Sequence, residues 1–398
     1  MNSIKSLFHN RNFAGLILAN TILGAAFPIQ LVLGGLTGLA LAPDPTLATL
    51  PSSVQTLAGM LAAAPLSLLM GRRGRRFGFA CGAVLTLLGA LCATQALATQ
   101  NFMLLCAAHF SMGAGWASYQ YFRFAAGEVV EDSWRPVAIS LMLSSLLVAA
   151  IVGPQIFIAT KDLMQPTAFA GAYAATGLIA ALGVLPLIIV RIPRPQRKDS
   201  DRGKRQSWAF AALRSPAIKR AVGIAALAQG VMVFLMIPTP IAMVSNGLAD
   251  TIASDVIRWH IVAMFAPSFF TGFLIKRFGA NLIAMTGLAT ITVAAVGAAT
   301  GVSPMHFYGS LIILGVGWNF GFIGATAMLD AAVSEADKAA VQGANDTVIA
   351  LVSTIGAFAA GFVVSSYGWV VLALLSGAAV VCAMLVLWSD RTSSVKSN

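Results

Sequence analysis

The sequence predicts an all-α membrane protein whose twelve transmembrane helices form two pseudo-symmetric six-helix bundles. Three observations predict this fold: the composition, the spacing of the charges and an internal repeat. Of the 398 residues, 58% are hydrophobic and 10% are charged, whereas soluble domains average about 45–50% and about 25%. The chain is therefore too apolar for a water-soluble globular protein.

Long stretches without Asp, Glu, Lys or Arg mark the membrane spans. A hydrocarbon core about 30 Å thick needs roughly 20 residues of helix, because backbone polar groups in lipid must bond within their own segment. Six stretches predict one helix each, the last of them with Arg258 at the interface: 12–43, 45–71, 136–160, 163–190, 221–249 and 259–275. Three longer stretches predict two helices each, with turns at 99–101, 301–304 and 365–368: 77–122, 278–329 and 347–389.

The basic residues predict the orientation of these helices. Most of the 25 Lys and Arg fall in loops on one side of the twelve-helix chain, and an excess of basic residues marks the cytoplasmic side. The net charge of +11 therefore reflects membrane topology, and we expect no nucleic-acid partner. Both termini are expected in the cytoplasm.

The polar segment 191–216 predicts a basic cytoplasmic linker. It separates an N-terminal six-helix bundle, 1–190, from a C-terminal six-helix bundle, 217–398. Duplicated bundles should match at an offset of about half the chain length.

Three places match at such an offset. SLLMGRRGRR at 67–76 aligns with GFLIKRFGAN at 272–281, offset by 205 residues. GAGW at 113–116 aligns with GVGW at 315–318, offset by 202, and Pro28 aligns with Pro238, offset by 210. The sequence therefore predicts two copies of one six-helix unit.

The loop between helices 2 and 3 resembles a motif of the major facilitator superfamily. The family pattern is G-x-L-A-D-R-x-G-R-R, of which this chain has Leu69, Arg72, Gly74, Arg75 and Arg76. Ser67 and Gly71 replace its first glycine and its aspartate. The second copy has Lys276 at the aspartate position and keeps Gly272, Leu274, Arg277 and Gly279.

Helices 4 and 5 add weaker elements of the same resemblance, which covers the whole chain. The family's R-x-x-x-G pattern in helix 4 appears as His109 and Gly113, and helix 5 retains Gly153-Pro154. The resemblance implies two bundles that rock about a midplane site, with helices 1, 4, 7 and 10 lining a central cavity and 2, 5, 8 and 11 beside them.

This architecture implies a secondary transporter that moves a small organic solute by alternating access. We expect a proton gradient as the energy source, with an uncoupled facilitator of the same fold as the alternative. The rival class is a membrane-embedded enzyme or receptor, but the sequence lacks H-E-x-x-H and G-x-S-x-G patterns. The absence of a G-x-x-x-x-G-K-[ST] nucleotide loop disfavours primary-active transport. We expect no enzyme activity, cofactor or metal, and a monomer in the bacterial inner membrane.

Two charges inside predicted helices are candidate gate residues. Each such charge costs about 2.5–3.5 kcal/mol on insertion scales and needs a partner or a cavity. Arg123 and Asp346 lie at similar depth near the cytoplasmic ends of helices 4 and 11, whose inner ends converge in the resembled family when the cavity faces outward. Alternatively, Arg123 reaches the interface to pair with Glu128 or Glu131, and Asp346 bonds locally.

Two loop clusters are candidate conformational switches. Each combines an arginine of the repeated loop motif with a carboxylate: Arg72 with Glu128 or Glu131, and Arg277 with Asp330 or Glu335. Solvated loop charges are the alternative, since exposed ion pairs contribute only about 0–1 kcal/mol.

His109 is the candidate for proton coupling. It lies about two turns into helix 4 from the outer face, and an unperturbed histidine titrates near neutral pH. The alternative is a hydrogen-bonded packing residue.

Polar and aromatic residues at midplane depth are candidates for the substrate cavity. They are Asn20, Gln30, Trp116, Tyr119, Gln120, Gln229, Phe234, Trp318, Asn319 and Asn345. Single aromatics in a span more often face lipid or pack, but together these residues predict an organic solute. Arg123 would favour an anionic solute if it reaches the cavity.

Overall fold

The computed structural model describes residues 9–131, 134–192, 215–333 and 338–396, and within these ranges the chain is helical without strands. In the first half, α1 comprises Arg11–Gly24 and Ala26–Leu41, α2 is Leu50–Arg73, α3 is Arg75–Ala98, α4 comprises Phe102–Tyr119 and Phe122–Glu128, α5 is Arg135–Thr160 and α6 is Ala170–Ile189. In the second half, α7 comprises Pro216–Met236 and Thr239–Ser245, α8 comprises Asp250–Phe265 and Ser268–Phe278, α9 is Ala280–Ala299 and α10 is Pro304–Ala332. The helix Lys338–Lys396 is broken at Gly368 into α11 and α12.

The described helices confirm the twelve-helix prediction. Ten stretches are long and apolar enough to cross a membrane. One of them, Val341–Leu387, contains the break at Gly368 and therefore comprises two helices. The main segment of α4, with 18 residues, completes the set. The helix breaks fall at the three predicted turns, 99–101, 301–304 and 365–368.

The eighth helix begins earlier than the sequence predicts. The predicted span starts at residue 259, but α8 starts at Asp250. Its first turns carry three charges, of which Asp255 pairs with Arg258 and Asp250 lies 3.0 Å from the Lys161 ammonium. Partial burial disfavours the charged form of Lys161, but the hydrogen bonds and charges of Asp162 and Asp250 outweigh it and raise the Lys161 pKa. The helix tolerates these charges because they are paired. A prediction based only on the length of the charge-free stretch therefore placed the start of α8 too late.

Contacts group the chain into two compact units. Unit 1 comprises Met1–Arg197 and Ala249–Arg258, and unit 2 comprises Lys198–Leu248 and Trp259–Asn398. Most of the predicted linker, from 193 to 214, lies outside the described residues.

Glycines repeat the same helix packing inside each unit. In unit 1, a Cβ on Gly82 of α3 would meet Ser118 and the Gly115 carbonyl of α4. In unit 2, a Cβ on Gly287 of α9 would meet the backbone of Gly317 and Gly321 of α10. Small residues at such crossings let helix backbones approach closely in lipid. The offset of 205 residues between Gly82 and Gly287 matches the repeat predicted from the loop motif.

The repeated loop motif makes the same turn in each unit. Gly74 joins α2 to α3 with φ 95°, and Gly279 joins α8 to α9 with φ 86°. Residues with a Cβ rarely adopt this region, whereas glycine enters it freely. The aligned glycines of the motif are therefore required by backbone conformation.

Candidate functional site

An aromatic cluster in unit 1 joins α1 to α4. The Phe27 ring stacks on the Trp116 indole, with centroids 4.1 Å apart and planes at 11°. Tyr119 meets Trp116 edge-on at 6.1 Å. Phe27 and Trp116 are partly exposed, whereas Tyr119 is buried and its hydroxyl lies 3.0 Å from Thr86 Oγ1. Trp116 therefore packs one face against Phe27 and meets Tyr119 edge-on.

A second aromatic cluster lies in unit 2. Trp318 of α10 stacks on Phe322, with centroids 5.0 Å apart and planes at 16°. Phe265 of α8 meets Trp318 edge-on at 6.0 Å. The Trp318 indole N–H donates to Gln229 Oε1 of α7 over 2.7 Å. Because Trp116 and Trp318 occupy the aligned GAGW and GVGW segments, each unit has a tryptophan at the same place in the repeat.

A buried polar network in unit 1 connects four helices through His109. His109 Nδ1 lies 2.7 Å from Gln55 Oε1 of α2, and His109 Nε2 lies 2.7 Å from the Tyr173 hydroxyl of α6. Gln55 Nε2 donates to Gln30 Oε1 of α1 over 2.8 Å. The Tyr173 hydroxyl is also 2.9 Å from Thr37 Oγ1 of α1. All five side chains are buried.

Two of the predicted cavity residues form internal helix braces. Asn20 of α1 donates to the Met142 carbonyl at 3.1 Å and to Ser145 Oγ at 2.8 Å, both in α5. Asn319 of α10 donates to the Met264 carbonyl and to Ser268 Oγ of α8, both at 2.7 Å. Both asparagines are buried, and these bonds engage their amide groups with protein partners.

Of the three remaining predicted cavity residues, Phe234 is partly buried near the end of the first segment of α7, and the other two lie nearer helix ends. Gln120 is exposed at the junction between the two segments of α4. Asn345 of α11 is buried and donates to Asp346 Oδ1 over 3.2 Å. Its own Oδ1 has no hydrogen-bond partner among the described residues.

The predicted switch residues of unit 1 are arranged differently from the expectation. Glu128 pairs with Arg75 and not with Arg72: Arg75 Nη2 donates to Glu128 Oε1 over 2.7 Å, and Arg75 Nε lies 3.2 Å from both carboxylate oxygens. Arg72 is exposed. Arg72 lies in the last turn of α2 and Arg75 begins α3, and the Gly74 turn between them presents Arg75 to α4.

The remaining gate candidates are placed as follows. The Arg123 guanidinium lies 4.8 Å from the Phe124 ring centroid, and its buried Nε has no hydrogen-bond partner among the described residues. The Arg277 guanidinium lies 5.3 Å from the Phe278 ring centroid. Asp330 and Asp346 are exposed. The alternative partner Glu335 lies outside the described residues.

We expect Glu128→Gln to lower the free energy of unfolding by about 1–2 kcal/mol, because a charge-assisted, largely buried pair is lost. Thermal unfolding in detergent measures the change. Arg72→Gln, which removes an exposed charge, should change it by no more than about 0.5 kcal/mol. Equal losses from Arg72→Gln and Glu128→Gln would contradict the observed pairing, whereas partial recovery in Arg75→Glu/Glu128→Arg would support it.

Several residues of these clusters carry no distinctive sequence signal. Phe27 and Phe322 are two of 23 phenylalanines. Gln55 and Tyr173 lie 54 and 64 residues from His109. A polar side chain inside a predicted span was the only available signal, and it applied to Gln55 and Tyr173 alone.

The sequence is similar to known transporters along nearly its whole length. It is 37% identical over 363 residues to the riboflavin transporter RfnT of Brucella anthropi, covering 90% of each chain. It is 29% identical to the uncharacterized MFS-type transporter YddS of Bacillus subtilis, covering 96% of this chain and 91% of that relative. No protein-family model matches the sequence.

Solved transporter structures share the fold. The nucleoside transporter NupG matches with a TM-score of 0.76 at 14% identity, covering 95% of this chain and 98% of that one. A D-xylose-proton symporter matches with a TM-score of 0.71 at 12% identity, covering 93% and 96%. At these identities the likeness establishes the fold alone.

Proposed function

Because the chain belongs to the major facilitator superfamily, we propose that it carries riboflavin, or a solute with a similarly flat ring, across the membrane by alternating access. The family is shown by 37% identity to a transporter over 90% of both chains. The relatives are transporters and not enzymes, so the rival prediction of a membrane enzyme is set aside. The protein is a multi-pass membrane transporter of a small solute.

The observation that supports a flat solute is the pair of aromatic clusters. Phe27, Trp116, Gln229 and Trp318 lie on α1, α4, α7 and α10, the helices that line the solute pathway in this superfamily. Aromatic stacking contributes about 0.5–1.5 kcal/mol per pair beyond buried area. The amide of Gln229 adds a polar group of the kind that orients a ligand in an apolar site.

Further parts of the proposal concern energy, gating and topology. His109, a titratable group within α4, supports coupling to protons. Arg123 and Asp346 remain the proposed cytoplasmic gate, with Arg72, Arg277 and Asp330 as proposed switch charges. We also propose that residues 1–190 and 217–398 form the two bundles and that both termini lie in the cytoplasm. The protein is proposed to be a monomer in a bacterial inner membrane.

Solute flux into proteoliposomes tests the proposed function. Purified protein should take up radiolabelled riboflavin, and an imposed pH gradient should drive accumulation above equilibrium. If riboflavin only reaches equal concentrations inside and outside, the protein is an uncoupled facilitator. If no riboflavin enters, the proposed solute is wrong. Competition by riboflavin 5′-phosphate tests the anionic preference, which requires the phosphate form to compete better than riboflavin.

Trp116→Ala and Trp318→Ala should each weaken riboflavin binding about tenfold, because each removes a ring worth roughly 1.4 kcal/mol in stacking. Fluorescence titration of riboflavin against the detergent-solubilised variants measures the change. Trp259→Phe, at an exposed tryptophan of α8, is the matched control and should bind normally. Unchanged affinity in both alanine variants would contradict the stacking role.

A further inference from the structure

We propose that His109 is the proton-binding site and that the Tyr173 hydroxyl rotates to satisfy either protonation state. The inference rests on the proposed coupling to protons and identifies the residues that perform it. It is carried by the buried network of Gln30, Gln55, His109, Tyr173 and Thr37, in which each histidine nitrogen has a side-chain partner.

In the neutral state, both nitrogens of His109 have a hydrogen-bond partner. Gln55 Oε1 can only accept, so His109 Nδ1 carries the proton and donates to it. His109 Nε2 is then unprotonated and accepts from the Tyr173 hydroxyl. The Thr37 hydroxyl donates to the Leu33 carbonyl over 2.7 Å, which leaves Thr37 Oγ1 available to accept.

The protonated state needs one rotation. A proton arriving from solution binds His109 Nε2, which then donates to the Tyr173 oxygen. Tyr173 keeps its own proton and turns it toward Thr37 Oγ1, 2.9 Å away. Thr37 continues to donate to Leu33. Every donor of the imidazolium has an acceptor, and no other residue gains or loses a proton.

Among the described residues, the side chains that face His109 are uncharged. From α4 itself the nearby titratable group is the buried Cys106, and from α6 it is Tyr173. From α2 the facing groups are Gln55 and Ser52, and from α1 they are Gln30 and Thr37, with Gly34 close to the imidazole ring. Among the described residues, no carboxylate, ammonium or guanidinium is hydrogen-bonded to the network.

This absence of charge couples proton binding to conformation. A buried imidazolium without a counter-ion is costly, so the proton is retained only while the four helices keep the network closed or while water or solute compensates it. Protonation reverses the direction of the α4–α6 hydrogen bond and strengthens it by charge. The two protonation states therefore bind α1, α4 and α6 together differently.

The second buried histidine, His260 in unit 2, is less suited to bind a proton than His109. His260 Nδ1 lies 2.7 Å from the Leu311 carbonyl of α10. Its Nε2 has no hydrogen-bond partner among the described residues. A proton on that nitrogen would leave a buried donor unsatisfied, which costs about 1–3 kcal/mol or more.

Transport by matched variants tests the role of the network. Tyr173→Phe should reduce pH-gradient-driven accumulation at least tenfold, while solute exchange at equal pH stays within twofold. Thr37→Val keeps the Tyr173–His109 bond but removes the acceptor that the protonated state needs. It should therefore lower the pH of half-maximal driven uptake by about one unit. Thr176→Val removes a buried hydroxyl whose hydrogen bond, among the described residues, is to the Ala172 carbonyl of the same helix, and it should leave both activities unchanged.

A spectroscopic titration separates this inference from the transport proposal. In protein labelled with ¹⁵N-histidine, the His109 signals, assigned by their loss in His109→Asn, should show the Nδ1–H tautomer and titrate reversibly. In Thr37→Val they should titrate at lower pH. If driven uptake is absent but His109 titrates in this way, the coupling proposal fails while the proton site stands. A His109 that does not titrate, or a Tyr173→Phe variant that loses exchange together with driven uptake, would overturn the site.

Discussion

Replacing Gly287 with alanine should lower the free energy of unfolding by about 3 kcal/mol or prevent folding. The added Cβ would overlap the backbone nitrogen of Gly321 and lie 2.6 Å from its Cα and 2.7 Å from the Gly317 carbonyl. Backbone atoms cannot rotate away, so α9 and α10 must separate along their crossing. Overpacking typically costs about 1–3 kcal/mol, and occasionally more.

Two comparisons sharpen this prediction, with thermal unfolding in detergent as the measurement. Gly309→Ala in α10 places its Cβ in open space and should be neutral or slightly stabilising. Gly82→Ala, at the equivalent position in unit 1, meets the Ser118 side chain and lies 2.9 Å from the Gly115 carbonyl, so that only one of its three close contacts is with backbone. Its effect should therefore be smaller than that of Gly287→Ala. Equal unfolding temperatures for the Gly287 and Gly309 variants would refute the close crossing.

Asn319→Ala should destabilise the protein by about 2–4 kcal/mol. α8 is interrupted at Ala266 and Pro267, and a helix end leaves carbonyls that need donors. The Asn319 side-chain amide donates to the Met264 carbonyl, and Asn319 Oδ1 accepts from the Thr271 hydroxyl over 2.7 Å. Each lost bond costs about 1 kcal/mol, and each buried group left unpaired costs about 1–3.

Asn20→Ala is the informative comparison for this second prediction. Its acceptors lie in α5, which continues through the contact, and Ser145 Oγ also donates to the Met142 carbonyl. Its removal should therefore cost less than that of Asn319. Chemical denaturation in mixed micelles, with helicity followed by circular dichroism, measures both, and an Asn319 variant as stable as wild type would exclude the brace.

The helix count and the repeat were predictable because they depend on local properties of the sequence. Charge-free length identified the spans, and breaker residues placed the turn that ends at Gly368. The aligned motif predicted the repeat, and its glycines Gly74 and Gly279 make equivalent backbone turns. Each of these features is determined by residues that lie close together in the sequence.

The site geometry depends on contacts that the sequence does not reveal. Asn20 and Asn319 look like cavity residues by depth, but their amides are engaged by α5 and α8. Glu128 has several arginines within reach along the chain, and only the turn at Gly74 selects Arg75. Likewise, α8 extends to Asp250 because Lys161, from a distant part of the sequence, neutralises it.

The histidine network lies wholly within the first half of the gene product, whereas the Trp318–Gln229 pair lies wholly within the second. In the proposed function, proton binding is therefore confined to the first half, whereas the solute is bound by aromatic rings of both halves. We therefore expect that exchanging the second half between relatives would change the solute preference in part and leave the proton-binding network intact.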